Sequence, residues 1–355
     1  MATHKKVLIC VLNWGLGHAT RCIPIIRELQ RQNVEVALAS DGRALDLLRE
    51  EFPDLETFDL PAYNVTYRTG NMFLNIAPQL PKILHAVILE RKRLKILAQK
   101  YQFDCIISDN RFGCFVENIP SVFMTHQLRI KMPFFILENI VAAVNQYFIR
   151  KFDTCWIPDR LENPNLSGDL SHNVKSLKSE FIGVLSRMKS MDISPQYDVL
   201  IVLSGPEPQR TYLENILTEQ ALVSDQKVLI IQGKTERKSH VFLNETTEVI
   251  SYLTSEKLNE VICASKIVIS RSGYSTIMDL AMTGKKAILI PTPGQTEQEY
   301  LADNLKRDKI FYSASQKAFN LNNALLKAEN YSGFEKEFDD NEELEKAIKK
   351  LLAEI

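Results

Sequence analysis

The 355-residue sequence predicts an α/β protein of two Rossmann-like, doubly wound parallel-sheet domains facing across a cleft. Three observations predict it. Short segments that are apolar throughout alternate with segments of helical periodicity, the pattern of strands covered on both faces. The same rhythm restarts near residue 199, after a stretch rich in Asn, Pro, Gly and Ser. Several strand-like runs end in a glycine turn that opens a helix, and parallel sheets bind their ligands beyond such strand ends.

In order along the first half, residues 7–12 read as a strand, 20–31 as a helix, 34–39 as a strand and 42–51 as a helix. Residues 79–100 read as a helix with a strong apolar face and a basic edge. Strands at 104–108 and 122–125, a helix at 133–150 and a strand at 154–157 complete that half. Residues 158–172 are a loop by composition, and 183–196 carry little periodicity. In the second half, strands at 199–203, 227–231, 248–252, 267–270 and 287–290 alternate with helices at 209–222, 256–264 and 275–282. The tail, 335–355, is a charged amphipathic helix. The expected division is a first domain over 1–185, a linker over 186–196, a second domain over 197–335, and a helix over 336–355 packing back on the first domain.

Composition excludes several classes. A formal net charge of −1 gives no global attraction to nucleic acid, and none is expected as a partner. The cysteines at 10, 22, 105, 114, 155 and 263 form no CxxC pair and show no metal-ligand spacing, so they read as reduced core residues and no metal site is expected. The apolar run at the start stops at Asn13, too short for a signal segment, and no stretch reaches the roughly 20 apolar residues of a spanning helix. The expectation is a cytoplasmic protein with peripheral contact to the inner membrane face left open.

Three turns carry the chemistry. The first is Asn13-Trp14-Gly15-Leu16-Gly17-His18-Ala19-Thr20-Arg21. Gly15 and Gly17 let the backbone approach a ligand, and a helix N-terminus offers N–H groups to an anion. Glycines after a strand serve a tight turn equally well, so the pattern alone leaves both readings open. His18 adds a general base suited to neutral pH, against a plain capping role. Arg21 fits a phosphate or carboxylate as readily as a solvated helix face. The second turn is Ser270-Arg271-Ser272-Gly273-Tyr274-Ser275-Thr276, followed one helical turn on by Asp279 and answered downstream by Gln295, Gln298 and Glu299. There the plain alternative makes Ser272 an N-cap and Asp279 a surface charge. The third is Ser204-Gly205 with Arg210 beyond it. Together the turns point to a diphosphate-containing ligand.

The strand–GLGHATR segment and the later SRSGYSTIMDLAMTGKKAILIP–GQTEQE segment together resemble the GT-B glycosyltransferases of family 28. The resemblance covers both halves, and the later block is its most specific part. It implies a metal-independent, inverting transfer of a sugar from a UDP-sugar, a substrate rather than a cofactor, to a lipid-linked or other cell-envelope glycan acceptor. It implies acceptor binding by the first domain and donor binding by the second. Catalysis falls on His18, with Asp109 the second candidate for the base. Diphosphate binding falls on Gly15, Gly17, Ser204, Gly205, Arg210, Ser272, Gly273, Ser275 and Thr276. Ribose falls on Asp279, where the family's transferase has glutamate; uracil on Tyr252 and Leu253; and the sugar on Gln295, Gln298 and Glu299, the last replacing a glutamine. Asn110, Arg111, His126 and Gln127 fall on the acceptor side, His126-Gln127 echoing a family stretch without its acid. Trp14 departs from the family's run of small residues. Basic and apolar residues over 82–100 and 129–135 suit an anionic membrane surface, or equally an ordinary packed helix with a solvated edge.

Residues 15–22, GxGHxxRC, also resemble the start of the UDP-sugar hydrolase of the pseudaminic acid pathway, where the histidine activates water. The longer chain with its extra basic helix favours an acceptor larger than water. A non-hydrolysing UDP-N-acetylglucosamine 2-epimerase and a catalytically idle nucleotide-sugar-binding partner are the other readings.

Overall fold

The computed structural model describes residues 5–66, 75–132, 134–172, 174, 177–234, 239–334, 338 and 342–355. The chain forms two compact units. Of the described residues, one unit comprises 5–66, those from 75 to 186, and 342–355, and the other those from 187 to 338. Residues 187–196, expected as a linker, group with the second unit, where Lys189 N–H donates to Asn259 Oδ1 and Gln196 N–H to the Ala264 carbonyl.

The first unit is built on seven strands: β1 (Lys6–Val11), β2 (Glu35–Ser40), β3 (Glu56–Asp59), β4 (Cys105–Asp109), β5 (Ser121–Met124), β6 (Thr154–Ile157) and β7 (Ser179–Phe181). They lie in the order β3-β2-β1-β4-β5-β6-β7, and every pairing is parallel. Helices α1 (Leu16–Arg31), α2 (Gly42–Glu51), α3 (Leu80–Tyr101) and α4 (Phe135–Ile149) connect them. Val7, Leu8, Ile9, Cys10 and Val11 are all fully buried, as a central strand with helices on both faces requires. Each such side chain contributes roughly 1.5–3 kcal/mol relative to exposure. The final helix belongs to this unit. Its described part buries Leu344, Ala347, Ile348 and Leu351, at i, i+3, i+4 and i+7, and Glu345 pairs with Arg31 of α1. Of the expected helix over 335–355, residues 335–337 and 339–341 lie outside the described residues. So does Pro133, the first residue of the expected helix 133–150.

The second unit repeats the plan with β8 (Tyr197–Val202), α5 (Gln209–Leu222), β9 (Val228–Ile231), β10 (His240–Phe242), β11 (Thr247–Ile250), α6 (Ser255–Cys263), β12 (Ser265–Ser270), α7 (Tyr274–Thr283), β13 (Lys286–Leu289), α8 (Thr296–Arg307), β14 (Tyr312–Ser313) and α9 (Leu321–Ala328). The sheet order is β10-β11-β9-β8-β12-β13-β14, parallel except for the β10–β11 hairpin at one edge. Its core gathers Val199, Ile201, Val228, Ile230, Ile269 and Ile288 under α5 and α9.

Two differences from the sequence reading have clear causes. Strands β3 and β7, four and three residues long, carry mixed polarity and give no apolar run. Helix α1 starts at Leu16 rather than Thr20, because Gly15 takes φ 95°, ψ 156° as its N-cap, a conformation open to glycine. The consequence is functional: His18 and Arg21 stand one turn apart on α1 itself.

Candidate active site

In both units the strand order reverses direction once. From β1 the chain winds outward to β2 and β3, then returns to place β4 on the other side of β1. From β8 it winds to β9 and β11, then returns to place β12 on the other side of β8. Crevices beyond the carboxyl ends of strands at such switch points are where open α/β sheets hold ligands. The Gly15 turn follows β1 and Asp109 ends β4. The Gly205 turn follows β8 and the Gly273 turn follows β12.

At the first switch point, buried charge is arranged around one histidine. Asp109 is fully buried. Its Oδ2 accepts from Arg21 Nε at 3.0 Å and lies 3.1 Å from His18 Nδ1, and its Oδ1 accepts from Arg21 Nη2. Burial alone would raise the Asp109 carboxyl; the Arg21 guanidinium, then His18, outweigh it and hold the group down at about 2. His18 Nδ1 also lies 3.0 Å from Arg21 Nη2, so the carboxylate and the guanidinium both hold that edge of the ring and Nε2 is its other nitrogen. Among the described residues no group bonds that Nε2. Arg21 Nη1 donates to His126 Nδ1 at 3.0 Å, and the far side of that ring faces the Gln127 carboxamide at 3.3 Å.

This geometry corrects several expected roles. Asp109 is not a base: it is shut from solvent and too weakly basic, and it positions His18. His126, 5% exposed, lies behind Arg21 rather than on an acceptor surface. Arg111, also expected there, is fully buried. It pairs with Glu90, donates to Asp41 Oδ1 at 2.9 Å, and donates to the carbonyls of Val11 and Pro61 at 3.0 and 2.6 Å. Asp41 Oδ2 in turn accepts from Asn13 Nδ2 at 2.9 Å, so Arg111 braces the Gly15 turn from below. Only Asn110 stays at the strand end, half-buried, in the left-handed region at φ 55° that its short polar side chain tolerates.

At the second switch point, Gly273 is the N-cap of α7 with no side-chain cap, and a Cβ built on it would meet no atom nearer than Thr276 Oγ1 at 3.9 Å. Ser275 and Thr276 occupy the first turn, half-buried, and Asp279 follows Ser275 by four residues. Ser204 and Gly205 lie exposed beyond β8, Gly205 at φ 105°. Tyr252 and Leu253 follow β11, both partly exposed.

Three expected ligands, Ser272, Gln298 and Arg210, are buried and bonded within the unit, and the partly exposed Glu299 is bonded through one oxygen. Ser272 is buried and its hydroxyl donates to the Gln298 carbonyl at 2.7 Å. Gln298, 7% exposed, accepts from Thr292 N–H at 2.8 Å through Oε1. Glu299 accepts from Gly294 N–H at 2.9 Å, closing the loop after β13. Arg210 is buried between Glu207 and Glu214, each at 2.6 Å, so its charge is neutralised within the unit. Gln295 stays partly exposed on that loop. Sequence reasoning passed over Arg271 and Thr292, because their distinction is what surrounds them. Among the described residues no three His, Cys, Asp or Glu side chains are grouped to hold a metal.

The expected basic surfaces are largely paired. Glu117 takes Arg91 at 2.5 Å and Lys95 at 3.2 Å, and Glu138 takes Lys131 at 3.6 Å and Arg129 at 3.9 Å. What stands out instead is α4, whose Ile136, Ile140, Val144 and Tyr147 form a stripe 53–76% exposed. No helix among the described residues is long and apolar enough to cross a membrane.

Two doubly wound sheets with glycine turns at both switch points are the plan of the GT-B glycosyltransferases. Residues 199–354 match the glycosyltransferase family 28 C-terminal domain. Over 325 residues, 86% of this chain and 82% of the relative, the sequence is 38% identical to the UDP-N-acetylglucosamine–N-acetylmuramyl-(pentapeptide) pyrophosphoryl-undecaprenol N-acetylglucosamine transferase of Methylobacterium radiotolerans. Similar solved structures include the glycotransferase of kitacinnamycin, with TM-score 0.69, 14% identity and 99% of each chain covered. Acinetobacter baumannii MurG superposes with TM-score 0.57 at 11% identity, over 98% of this chain and 99% of that one. The chain belongs to glycosyltransferase family 28.

Proposed function

We propose that this enzyme is an inverting, metal-independent transferase that moves a hexose from a UDP-sugar to a hydroxyl of a lipid-linked or cell-envelope glycan. The observation that carries the reading is His18 at the first switch point, held through Nδ1 by ionised Asp109 and by Arg21; in the tautomer proposed, Nδ1–H faces the carboxylate and Nε2 is the proton acceptor. In the step proposed, Nε2 takes the proton of the acceptor hydroxyl and its oxygen attacks the anomeric carbon. The bond from that carbon to the diphosphate oxygen breaks on the opposite face, and UDP leaves with the electron pair. Ser204, Gly205, Gly273, Ser275 and Thr276 are the groups suited to the diphosphate, where the N-termini of α5 and α7 offset the developing charge. Asp279 suits the ribose hydroxyls, Tyr252 and Leu253 the uracil, and Gln295 the sugar. Gly15 and Gly17 allow close approach at the first-unit turn, and Asn110 and Gln127 border it.

The acceptor reading includes a membrane. The apolar stripe of α4 suits a lipid surface, with Arg129 and Lys131 at its approach. The test of the reaction is UDP release from a panel of UDP-hexoses with polyprenyl-diphosphate-linked glycans as acceptors. Product with inverted anomeric configuration, lost in His18→Ala, is the expected outcome. Sugar released without any acceptor identifies a hydrolase and overturns the proposal.

A further inference from the structure

Arg271 sits between Ser270, the last residue of β12, and Ser272 of the turn before α7, and it is 1% exposed. Its guanidinium joins three segments: the turn after β13, the start of α5 and the turn after β14. Nη1 donates to the carbonyls of Ile290 and Pro291 at 3.1 and 3.2 Å, and Nη2 donates to the Gln209 carbonyl at 2.8 Å and Gln316 Oε1 at 2.7 Å. All four acceptors are neutral, and Nε has no partner among the described residues. The contrast with the other buried arginines is sharp: Arg21 rests on Asp109, Arg111 on Glu90 and Asp41, and Arg210 on Glu207 and Glu214. A buried ion without a counter-charge is costly, and folded chains ordinarily pair it. Desolvation pulls this guanidinium down to about 10, which still leaves it a cation at neutral pH.

A second observation points to the same place. The hydroxyl of Thr292, 5% exposed, has no partner among the described residues. Its Oγ1 lies 3.8 Å from where a Cβ on Gly205 would stand, so it faces the Gly205 turn. A stranded hydroxyl, a stranded cation and the uncapped start of α7 therefore meet at one switch point.

We infer that Arg271 is a built-in counter-charge: its partner is the anionic diphosphate of the ligand, neutralised through the turn from below rather than by direct contact, with Thr292 supplying a hydroxyl at the Gly205 side. The inference rests on the donor reading above and assigns it an electrostatic residue. Held before the ligand arrives, such a charge needs no reorganisation on binding and acts at low local dielectric. Its role is separable from that of a staple holding three segments, because a staple serves the uncharged nucleoside and the diphosphate alike.

The test compares Arg271→Gln and Arg271→Lys with the wild type by calorimetry against uridine, UDP and inorganic pyrophosphate. The charge-removing Gln variant is expected to bind UDP about tenfold or more weakly relative to uridine, about 1.4 kcal/mol, and to lose pyrophosphate binding. The Lys variant is expected to keep most of the preference for UDP over uridine, though it forfeits the fork of hydrogen bonds. If the Gln variant does not fold, the absolute affinities of the Lys variant decide: with the charge kept, uridine and UDP are both expected within about threefold of wild type, whereas a pure staple loses both together. Parallel loss of uridine and UDP, or an unchanged ratio in Arg271→Gln, overturns the inference. A wild type that binds pyrophosphate but transfers no sugar sinks the transferase reading and leaves the counter-charge standing; one that binds neither UDP nor pyrophosphate sinks both.

Discussion

Replacing Asp109 with asparagine keeps the shape of the side chain and removes the charge on which the first-unit site rests. Asp109 and Arg21 are both buried, so the change strands the guanidinium. Losing one partner of a buried pair costs about 3–5 kcal/mol. The depression of the carboxyl from 3.8 to about 2 is the part of that cost that depends on pH. Because the folded value lies below the unfolded one, this contribution is present above about pH 4 and is lost as pH falls through about 2. The expected melting temperature falls by on the order of 10 °C, and the acid limb of the stability curve flattens. In activity the loss is specific. Without the carboxylate, His18 Nδ1 is no longer required to carry the proton, Nε2 is protonated part of the time, and kcat should fall by about 10²–10⁴. Donor affinity, which belongs to the second unit in the proposed reading, should hold. Steady-state UDP release and a denaturation series from pH 7 to pH 2 measure both arms. A folded Asp109→Asn enzyme with kcat within about threefold of wild type, under 1 kcal/mol in barrier, would refute the tautomer argument.

Two further outcomes follow from the same geometry. Thr292→Val should stabilise the ligand-free chain by up to about 1 kcal/mol in urea denaturation, because it removes a buried hydroxyl without a partner, and should weaken UDP binding at the same time; a clear loss of stability would mean the hydroxyl is satisfied. Ile136→Glu with Ile140→Glu should abolish sedimentation with vesicles of mixed anionic and neutral lipid while leaving the melt within about 0.5 kcal/mol, since both side chains are exposed; undiminished sedimentation removes α4 from the membrane reading.

Much of the architecture was legible because it rests on local pattern. Buried parallel strands declare themselves as unbroken apolar runs, and β1, β4 and β12 lie within a residue or two of where composition puts them. The glycine turns were legible too, since Gly15 and Gly205 hold positive φ that a side chain would strain. The reach of those turns was not. Gly15 starts α1 four residues early, and only that start brings His18 and Arg21 to one carboxylate.

Which polar residues face a ligand was decided by tertiary structure alone. Ser272 has the chemistry of a donor ligand, yet its hydroxyl is spent on Gln298 of another turn, while Gln298, Glu299 and Arg210 bond within their own loop or helix. Asp109 at the end of β4 and Arg111 just beyond it both read as strand-end charges, but Arg111 is matched to Glu90 and braces a turn, and Asp109 bonds a histidine. The sequence by itself determined the two α/β units, the strand-end turns and the family. The folded chain decided which charges are cancelled and which are left, because the partners of Arg21 and Arg111, unlike the local pair around Arg210, lie 88 and 21 residues away, and no local pattern carries that distance.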